Sequence, residues 1–303
     1  MNGAEALIRT AQAAGIEVCF ANPGTTELPL VAALDSVPGM QSVLGLFEGV
    51  CSGAADGYGR ITGKPALTLT HLGPGFANSL ANVHNARRAR TPMVNLIGDH
   101  ATWHVAADAP LTSDIESLAR PMSAWVRTSN SAPELPRDGA EAIAAASSAP
   151  GQVATLICPQ DCQWGDAEPA LPGRPREPGP VPADTVTAVA RLLRDGEPAV
   201  LLLGSSGLSR RGLDAAARIS SASGCRLLSE TFVSLTERGL GIPAVERLPY
   251  FPAQALETLS GTATLVLAGA IPPVSFFGYP DTPSSLVPQG TDVVELAVPG
   301  EDI

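Results

Sequence analysis

Hydrophobic and polar positions along the chain follow two rhythms that take turns. Residues Gly3–Ala14 have helical spacing, with Leu7 and Ile8 on the apolar side. Val18–Ala21 is a short apolar strand, cut by Asn22-Pro23-Gly24. Residues Glu27–Leu34 suit a helix, and Ser42–Phe47 a second strand. From Glu48 to Arg60 the small residues Gly53, Ala54 and Ala55 predict a closely packed helix. Ala66–His71 reads as a third strand, Gly73-Pro74-Gly75 as a tight loop and Asn78–Arg88 as a helix. Met93–Ile97 and Thr155–Cys158 are further apolar strands. Strands separated by helix-length segments imply parallel β-α-β units with buried strands.

The rhythm breaks at residues 166–182, where prolines stand at 169, 172, 175, 178, 180 and 182. Such a stretch predicts an extended, semi-rigid connector. The alternation then resumes. Asp184–Arg194 predicts a helix with Asp184 as its N-cap, and Ala199–Leu203 a continuous apolar strand. Leu213–Ser221 follows as a helix, and Arg226–Leu228, Thr264–Ala268 and Asp292–Leu296 as strands. The expected fold class is α/β, with two doubly wound parallel-sheet domains. Residues 1–165 form the first, 166–182 the linker and 183–303 the second. No helix follows the last strand to close the second domain, which fits a fragment of a longer chain and fits a short natural terminus as well.

Composition narrows the function classes. The chain has 303 residues, 45% of them hydrophobic and 16% charged, enough for a sizeable core. Net charge is −11 and Lys64 is the one lysine, so a global basic footprint for nucleic acid is missing. The five cysteines are an odd number in mostly apolar surroundings, as buried free thiols of a reducing cytoplasm would be. No signal peptide and no apolar run of about 18 residues is visible, so neither secretion nor a membrane span is expected. Asp99, His100 and His104 lack a metal-specific spacing, and no metal ligands are assigned.

Three segments carry candidate chemistry. Asn22-Pro23-Gly24-Thr25-Thr26-Glu27-Leu28-Pro29 runs from a strand through a glycine turn into a helix. Glu48 stands in the apolar run Leu44–Val50 at a strand's carboxyl end. Desolvation there would raise its pKa and fit it for proton exchange; a helix-start acid satisfied by backbone N–H groups accounts for it equally well. His71 in Thr70-His71-Leu72-Gly73-Pro74-Gly75 stands at a third strand end, as an acid, a base or a core residue. All three are carboxyl ends of expected parallel strands, where α/β sheets bind ligands.

The order of these motifs resembles a known family. Asn22-Pro23-Gly24, Phe47-Glu48-Gly49, Ala54-Ala55-Asp56-Gly57-Tyr58-Gly59-Arg60 and Gly73-Pro74-Gly75 followed by Asn78 look like the pyrimidine-binding domain of thiamine-diphosphate enzymes. Gly73-Pro74-Gly75 is similar to acetolactate synthases, while Asn22–Pro29 and His71 are similar to benzoylformate decarboxylases. The resemblance implies a flavodoxin-like first domain and a Rossmann-like central domain. It implies that Glu48 hydrogen-bonds N1′ of the cofactor's aminopyrimidine and so promotes formation of the reactive ylide, which attacks a 2-keto acid. By the same resemblance Pro23, Gly24, Pro74 and Asn78 bind cofactor, and Thr25 and His71 face substrate.

The implied activity is acetolactate synthase-like decarboxylation and carboligation of 2-keto acids. The alternatives are a benzoylformate-type decarboxylase that does not ligate, and an inactive fragment or non-catalytic homologue. The family's Gly-Asp-Gly…Asn motif for Mg2+ and the diphosphate is missing, since Gly98-Asp99-His100 and Gly165-Asp166-Ala167 are not followed by a partner Asn. The diphosphate-binding domain is therefore expected to be absent from this chain. Gly204-Ser205-Ser206-Gly207 follows a strand and leaves FAD open as a second cofactor. Because the family builds its site between subunits, a homodimer or homotetramer is expected.

Overall fold

The computed structural model describes all 303 residues, Met1–Ile303. The chain divides into two compact units, Met1–Glu177 and Pro178–Ile303, with the break inside the proline-rich stretch. Both are α/β with parallel sheets.

The first unit runs α1 (Gly3–Ala13), β1 (Val18–Asn22), α2 (Leu28–Ser36), β2 (Gln41–Leu44), α3 (Glu48–Thr62), β3 (Ala66–Thr70), α4 (Leu72–Ala89) and β4 (Met93–Asp99). It continues with α5 (Ile115–Ala119), β5 (Trp125–Thr128), α6 (Leu135–Ser147), β6 (Val153–Pro159) and α7 (Gln160–Trp164). Its six strands are all parallel, in the order β2-β1-β3-β4-β6-β5. Alternate side chains of the inner strands feed two cores. Cys19, Leu67, Leu69, Val94, Leu96 and Leu156 pack under α1, α2 and α6. Val18, Ala66, Met93, Ile97 and Ile157 pack under α3, α4 and α5 with Phe76 and Val83. The sheet is thus doubly wound, and the chain reverses direction of travel across it between β1 and β3. There the register sets Asn22 opposite Thr70, so Pro23 and His71 leave the sheet side by side.

The second unit contains β7 (Gly179–Pro180), α8 (Ala183–Arg194), β8 (Ala199–Leu203), α9 (Arg210–Ser223), β9 (Arg226–Ser229) and β10 (Glu246–Arg247). It ends with α10 (Pro252–Thr258), β11 (Thr264–Ala268), β12 (Asp292–Ala297) and β13 (Glu301–Asp302). Five strands make a parallel sheet in the order β10-β9-β8-β11-β12, and β7 pairs separately with β13. Its core lies on both faces, with Leu201, Leu203 and Val266 on one and Val200, Leu202 and Leu265 on the other.

Several sequence expectations need correction. Residues 73–75 are not a loop but the first turn of α4, which starts at Leu72. Pro74 is tolerated there because first-turn N–H groups have no acceptor within the helix. The second strand ends at Leu44 rather than Phe47, and as an edge strand it is exposed along its whole length. Asp184 lies in the first turn of α8, while Pro182 holds the cap position. Thr25–Glu27 form a separate 3-10 turn before α2. The elements α5, β5, α6, α7, β7, β10, α10 and β13 go unforeseen: all but α6 are seven residues or fewer, and β5 is half-exposed. The longer α6 buries the small residues Gly139, Ala140, Ala142 and Ala146, and is seated so close to α1 that a Cβ on Gly139 would stand 2.1 Å from Leu7.

All five cysteines are free and buried, as their surroundings suggest. Burial pushes the Cys19 and Cys162 thiols up to about 12. No helix is long and apolar enough to cross a membrane.

Candidate active site

Ligands of doubly wound sheets bind where strand order reverses, outside the carboxyl ends. In the first unit that place lies beyond β1 and β3, and three segments meet there. The turn after β1 brings Pro23 to Glu27. The turn after β2 delivers Glu48, and His71 directly follows the end of β3.

Glu48 is the first residue of α3. Its Oε2 accepts a 3.0 Å hydrogen bond from Asn78 Nδ2 on α4. Its carbonyl accepts from Ser52 Oγ at 3.2 Å and Ser79 Oγ at 3.4 Å. Asn82 Nδ2 donates to the neighbouring Gly49 carbonyl at 2.6 Å. The first turn of α3 is therefore tied to α4, and the carboxylate is aimed rather than left loose. Gly75 makes the approach feasible: a Cβ there would stand 3.0 Å from Glu48 Oε1 and 3.4 Å from His71 Cβ.

The burial expected of Glu48 is not found. The residue is half-buried, and Leu44 (70% exposed), Leu46 (89%) and Phe47 (49%) point outward. An edge strand has no neighbour on its outer side, so the apolar run that suggests desolvation forms an exposed patch instead. Such a patch is more than scattered surface leucines would make.

His71 sits beside a different carboxylate. Glu27 is wholly buried, while the His71 side chain keeps 26% of its exposure. Glu27 Oε2 lies 2.8 Å from His71 Nδ1 and accepts from the Gly24 N–H at 2.7 Å. Thr26 Oγ1 donates to Glu27 Oε1 at 2.5 Å and lies 3.2 Å from His71 Nδ1. Gly24 is required by contact, since a Cβ there would lie 2.4–2.6 Å from imidazole atoms. Asn22 Nδ2 donates to the Gly45 carbonyl at 2.7 Å, tying the turn after β1 to the turn before Glu48.

The structure thus brings Gly24, Glu48, His71 and Asn78 into one cluster. Pro23 is half-buried in the adjoining turn, while Thr25 and Pro74 are exposed on the flanking turns. Two residues escape the sequence reading. Glu27 appears there only within its motif, yet it anchors His71. Its spacing from Gly24 is the capping-box spacing, a signal that could have singled it out. Gly98, at the end of β4, is the other: a Cβ there would fall 1.8 Å from Glu27 Oε1. The next residue, Asp99, has its carboxyl pushed up first by burial, against the His100 N–H that lowers it, with the Glu27 charge adding to the rise.

Comparison with known proteins bears on the first unit and on the fold. Residues 1–118 match the family described as thiamine pyrophosphate enzyme, N-terminal TPP binding domain. That match lies within the first unit, which carries the likeness to this family. A Mycobacterium tuberculosis protein provisionally named acetolactate synthase large subunit IlvX is 56% identical over 300 residues, covering 99% of this chain and 58% of that protein. Benzoylformate decarboxylase from Pseudomonas aeruginosa is 32% identical over 197 residues, covering 63% of this chain and 37% of its own length. This chain therefore spans little more than half of the first relative and about a third of the second. Among solved structures, a 4-hydroxybenzoylformate decarboxylase of Rhodococcus jostii superposes with a TM-score of 0.83 at 23% identity, over 97% of this chain and 56% of that one. A thiamin diphosphate-dependent enzyme of Mycobacterium smegmatis, also provisionally named, gives 0.84 at 24%, over 97% and 56%. Likeness at that identity speaks for the fold alone: two parallel α/β units in succession.

Proposed function

We propose that this chain supplies the pyrimidine side of a thiamine-diphosphate site in an enzyme that decarboxylates 2-keto acids and, as an acetolactate synthase does, ligates the product to a second keto acid. The observation that carries the reading is Glu48, aimed by Asn78 at the point of strand reversal in a thiamine pyrophosphate domain. The residues suit the cofactor's aminopyrimidine. A carboxyl edge can bond a ring nitrogen, and Gly24 and Gly75 keep Cβ atoms out of the approach. When bound, thiamine diphosphate supplies the electron sink that lets carbon dioxide leave.

The other roles belong to this chain's residues. Glu48 holds and returns the proton at N1′ of the pyrimidine. Pro23, Gly24 and Pro74 wall the ring, and Asn78 fixes the Glu48 carboxyl. Thr25 and His71 face the keto acid. The Gly-Asp-Gly…Asn pattern is not met in this sequence, and the proposal assigns Mg2+ and the diphosphate to residues outside this chain. FAD does not fit the glycine turn of the second unit. A Cβ on Gly204 would meet the Gly269 carbonyl at 2.5 Å and Glu230 Oε2 at 2.7 Å, so the chain itself fills the place where a phosphate would be cradled. A homodimer or homotetramer completes the proposal, and sedimentation as monomer only at high concentration would count against it.

A second reading, a benzoylformate-type decarboxylase that does not ligate, is favoured by the His71–Glu27 pair. A fixed acid–base group beside the cofactor suits proton delivery and aldehyde release. Products separate the two: acetolactate from pyruvate, or aldehyde and carbon dioxide from an aromatic keto acid. The test of the shared core is titration of thiamine diphosphate with Mg2+ into this chain and into a protein of the relatives' full length. Binding and turnover are expected of the longer protein, and normal turnover by its Glu48→Gln variant would overturn the assignment. Should the longer protein also fail to bind, a non-catalytic homologue is the better reading.

A further inference from the structure

The unused observation is a wholly buried carboxylate set behind a partly open imidazole. Two donors converge on Glu27, the Gly24 N–H and the Thr26 hydroxyl, and His71 Nδ1 lies 2.8 Å from it. A buried carboxylate without such donors would be strongly disfavoured. The seat itself depends on another strand. Glu27 Oε1 lies against Gly98 so closely that a Cβ there would overlap it, at 1.8 Å.

We propose that Glu27, seated against Gly98, is the positioning residue of His71, fixing the imidazole as its Nδ1–H form and presenting Nε2 to the keto acid. The geometry leads there in steps. Glu27 Oε2, 2.8 Å from Nδ1, accepts and cannot donate when ionised. Thr26 spends its proton on Glu27 Oε1 and offers Nδ1 only a lone pair. Both neighbours of Nδ1 are therefore acceptors, and the ring proton belongs on Nδ1. Nε2 of the neutral ring then carries the free lone pair. With Gly24 packed against one part of the ring and Glu27 holding its edge, the imidazole cannot flip without losing these contacts.

The identity of the ligand at Nε2 rests on the proposed function; the tautomer and the anchoring do not. The experiment therefore has two readouts. Nitrogen-15 NMR of histidine-labelled protein is expected to show His71 protonated at Nδ1 in its neutral form. Glu27→Gln puts an N–H donor among groups that all donate, so it is expected to yield mixed tautomers. Gly98→Ala reaches the same state without touching His71 or Glu27, by crowding the carboxylate from its seat. In the full-length protein each variant is expected to lower kcat at least tenfold while thiamine-diphosphate affinity stays within twofold. In a His71→Ala background Glu27→Gln is expected to add little. An Nε2–H tautomer in the wild-type protein would overturn the proposal, whatever the variants do. So would an undiminished Glu27→Gln effect when His71 is already gone, which would make Glu27 merely structural. If the tautomer is as expected but no 2-keto acid is turned over, the positioning stands and the substrate reading fails.

Discussion

In the first unit, the carboxyl ends of β1 and β3 diverge around side chains: Glu27, Glu48, His71 and Asn78. In the second, the corresponding ends of β8 and β11 are joined by their own backbone. The Gly204 N–H donates to the Ala268 carbonyl at 3.0 Å, and Ser205 Oγ donates to the Gly269 carbonyl at 3.0 Å. Ile303 sits against Gly269, where a Cβ would meet its Cδ1 at 2.4 Å, and Arg211 holds the Ile303 carbonyl at 2.9 Å. Both sheets reverse strand order at these points, and topology favours a crevice at each. The residue after the strand decides whether the crevice holds chemistry or is filled by the chain. Topology alone thus does not separate a crevice lined by polar side chains from one filled by the chain.

The largest effect that would break this contrast is at Glu48. In a full-length protein, Glu48→Gln is expected to lower kcat by about 10²-fold or more, the usual scale for a lost proton-transfer group. Steady-state kinetics with a 2-keto acid checks it. The next test sets matched glycines against each other. Gly24 and Gly204 each follow the first strand of their sheet closely, and neither can accept a Cβ freely. At Gly24 the obstacle is the His71 ring, which can turn aside; at Gly204 it is the Gly269 carbonyl at 2.5 Å and Ala270 Cα at 2.9 Å, which cannot. Gly204→Ala is expected to cost about 1–3 kcal/mol of stability, the scale of overpacking. Gly24→Ala is expected to cost less and to spoil turnover instead. Denaturant melts beside activity measurements separate the two; equal stability losses would mean that the first crevice is as closed as the second. Reconstitution with FAD is expected to leave no bound flavin band, and a band would reopen the second crevice.

Much of this was legible in the sequence because the informative features are local. A strand ending in Asn22-Pro23-Gly24, or in His71 before Gly73-Pro74-Gly75, declares its own carboxyl end. Where such ends fall relative to one another follows from parallel β-α-β connectivity. The setting of Glu48 was not legible, because whether Leu44 and Leu46 are covered depends on β2 being an edge strand, a property of sheet order. Glu27 escaped for a related reason. Its burial depends on Gly98, which reaches it only because β1, β3 and β4 are neighbours in the sheet. The start of α4 was missed because Gly-Pro-Gly reads as a turn, whereas a helix's first turn accepts proline and here needs glycine for Glu48 to approach.

Asp99 offers the smallest and most specific test of the polar crevice. It ends β4 beside Gly98, and burial with the Glu27 charge nearby holds its carboxyl above the ordinary 3.8. A group whose folded pKa is raised favours folding while protonated and opposes it once ionised. Well below the ordinary value both folded and unfolded chains carry the proton, and Asp99 exacts no penalty. As pH rises through that value the unfolded chain ionises first, and stability falls until the folded group has ionised too. Asp99→Asn removes the penalty and keeps an acceptor for the His100 N–H, which Asp99 Oδ1 now receives at 2.8 Å. The variant is expected to be the more stable protein at neutral pH, by less than about 1 kcal/mol given the residue's partial exposure to solvent. The gain should disappear as the pH falls below the ordinary carboxylate range, and thermal melts across pH measure it. The same substitution in a Glu27→Gln background should gain less, because one source of the raised pKa is gone. A gain unchanged by Glu27→Gln would mean that the buried carboxylate is not felt one residue beyond Gly98. A loss of stability at neutral pH would show instead that the edge of the first crevice holds Asp99 as an anion.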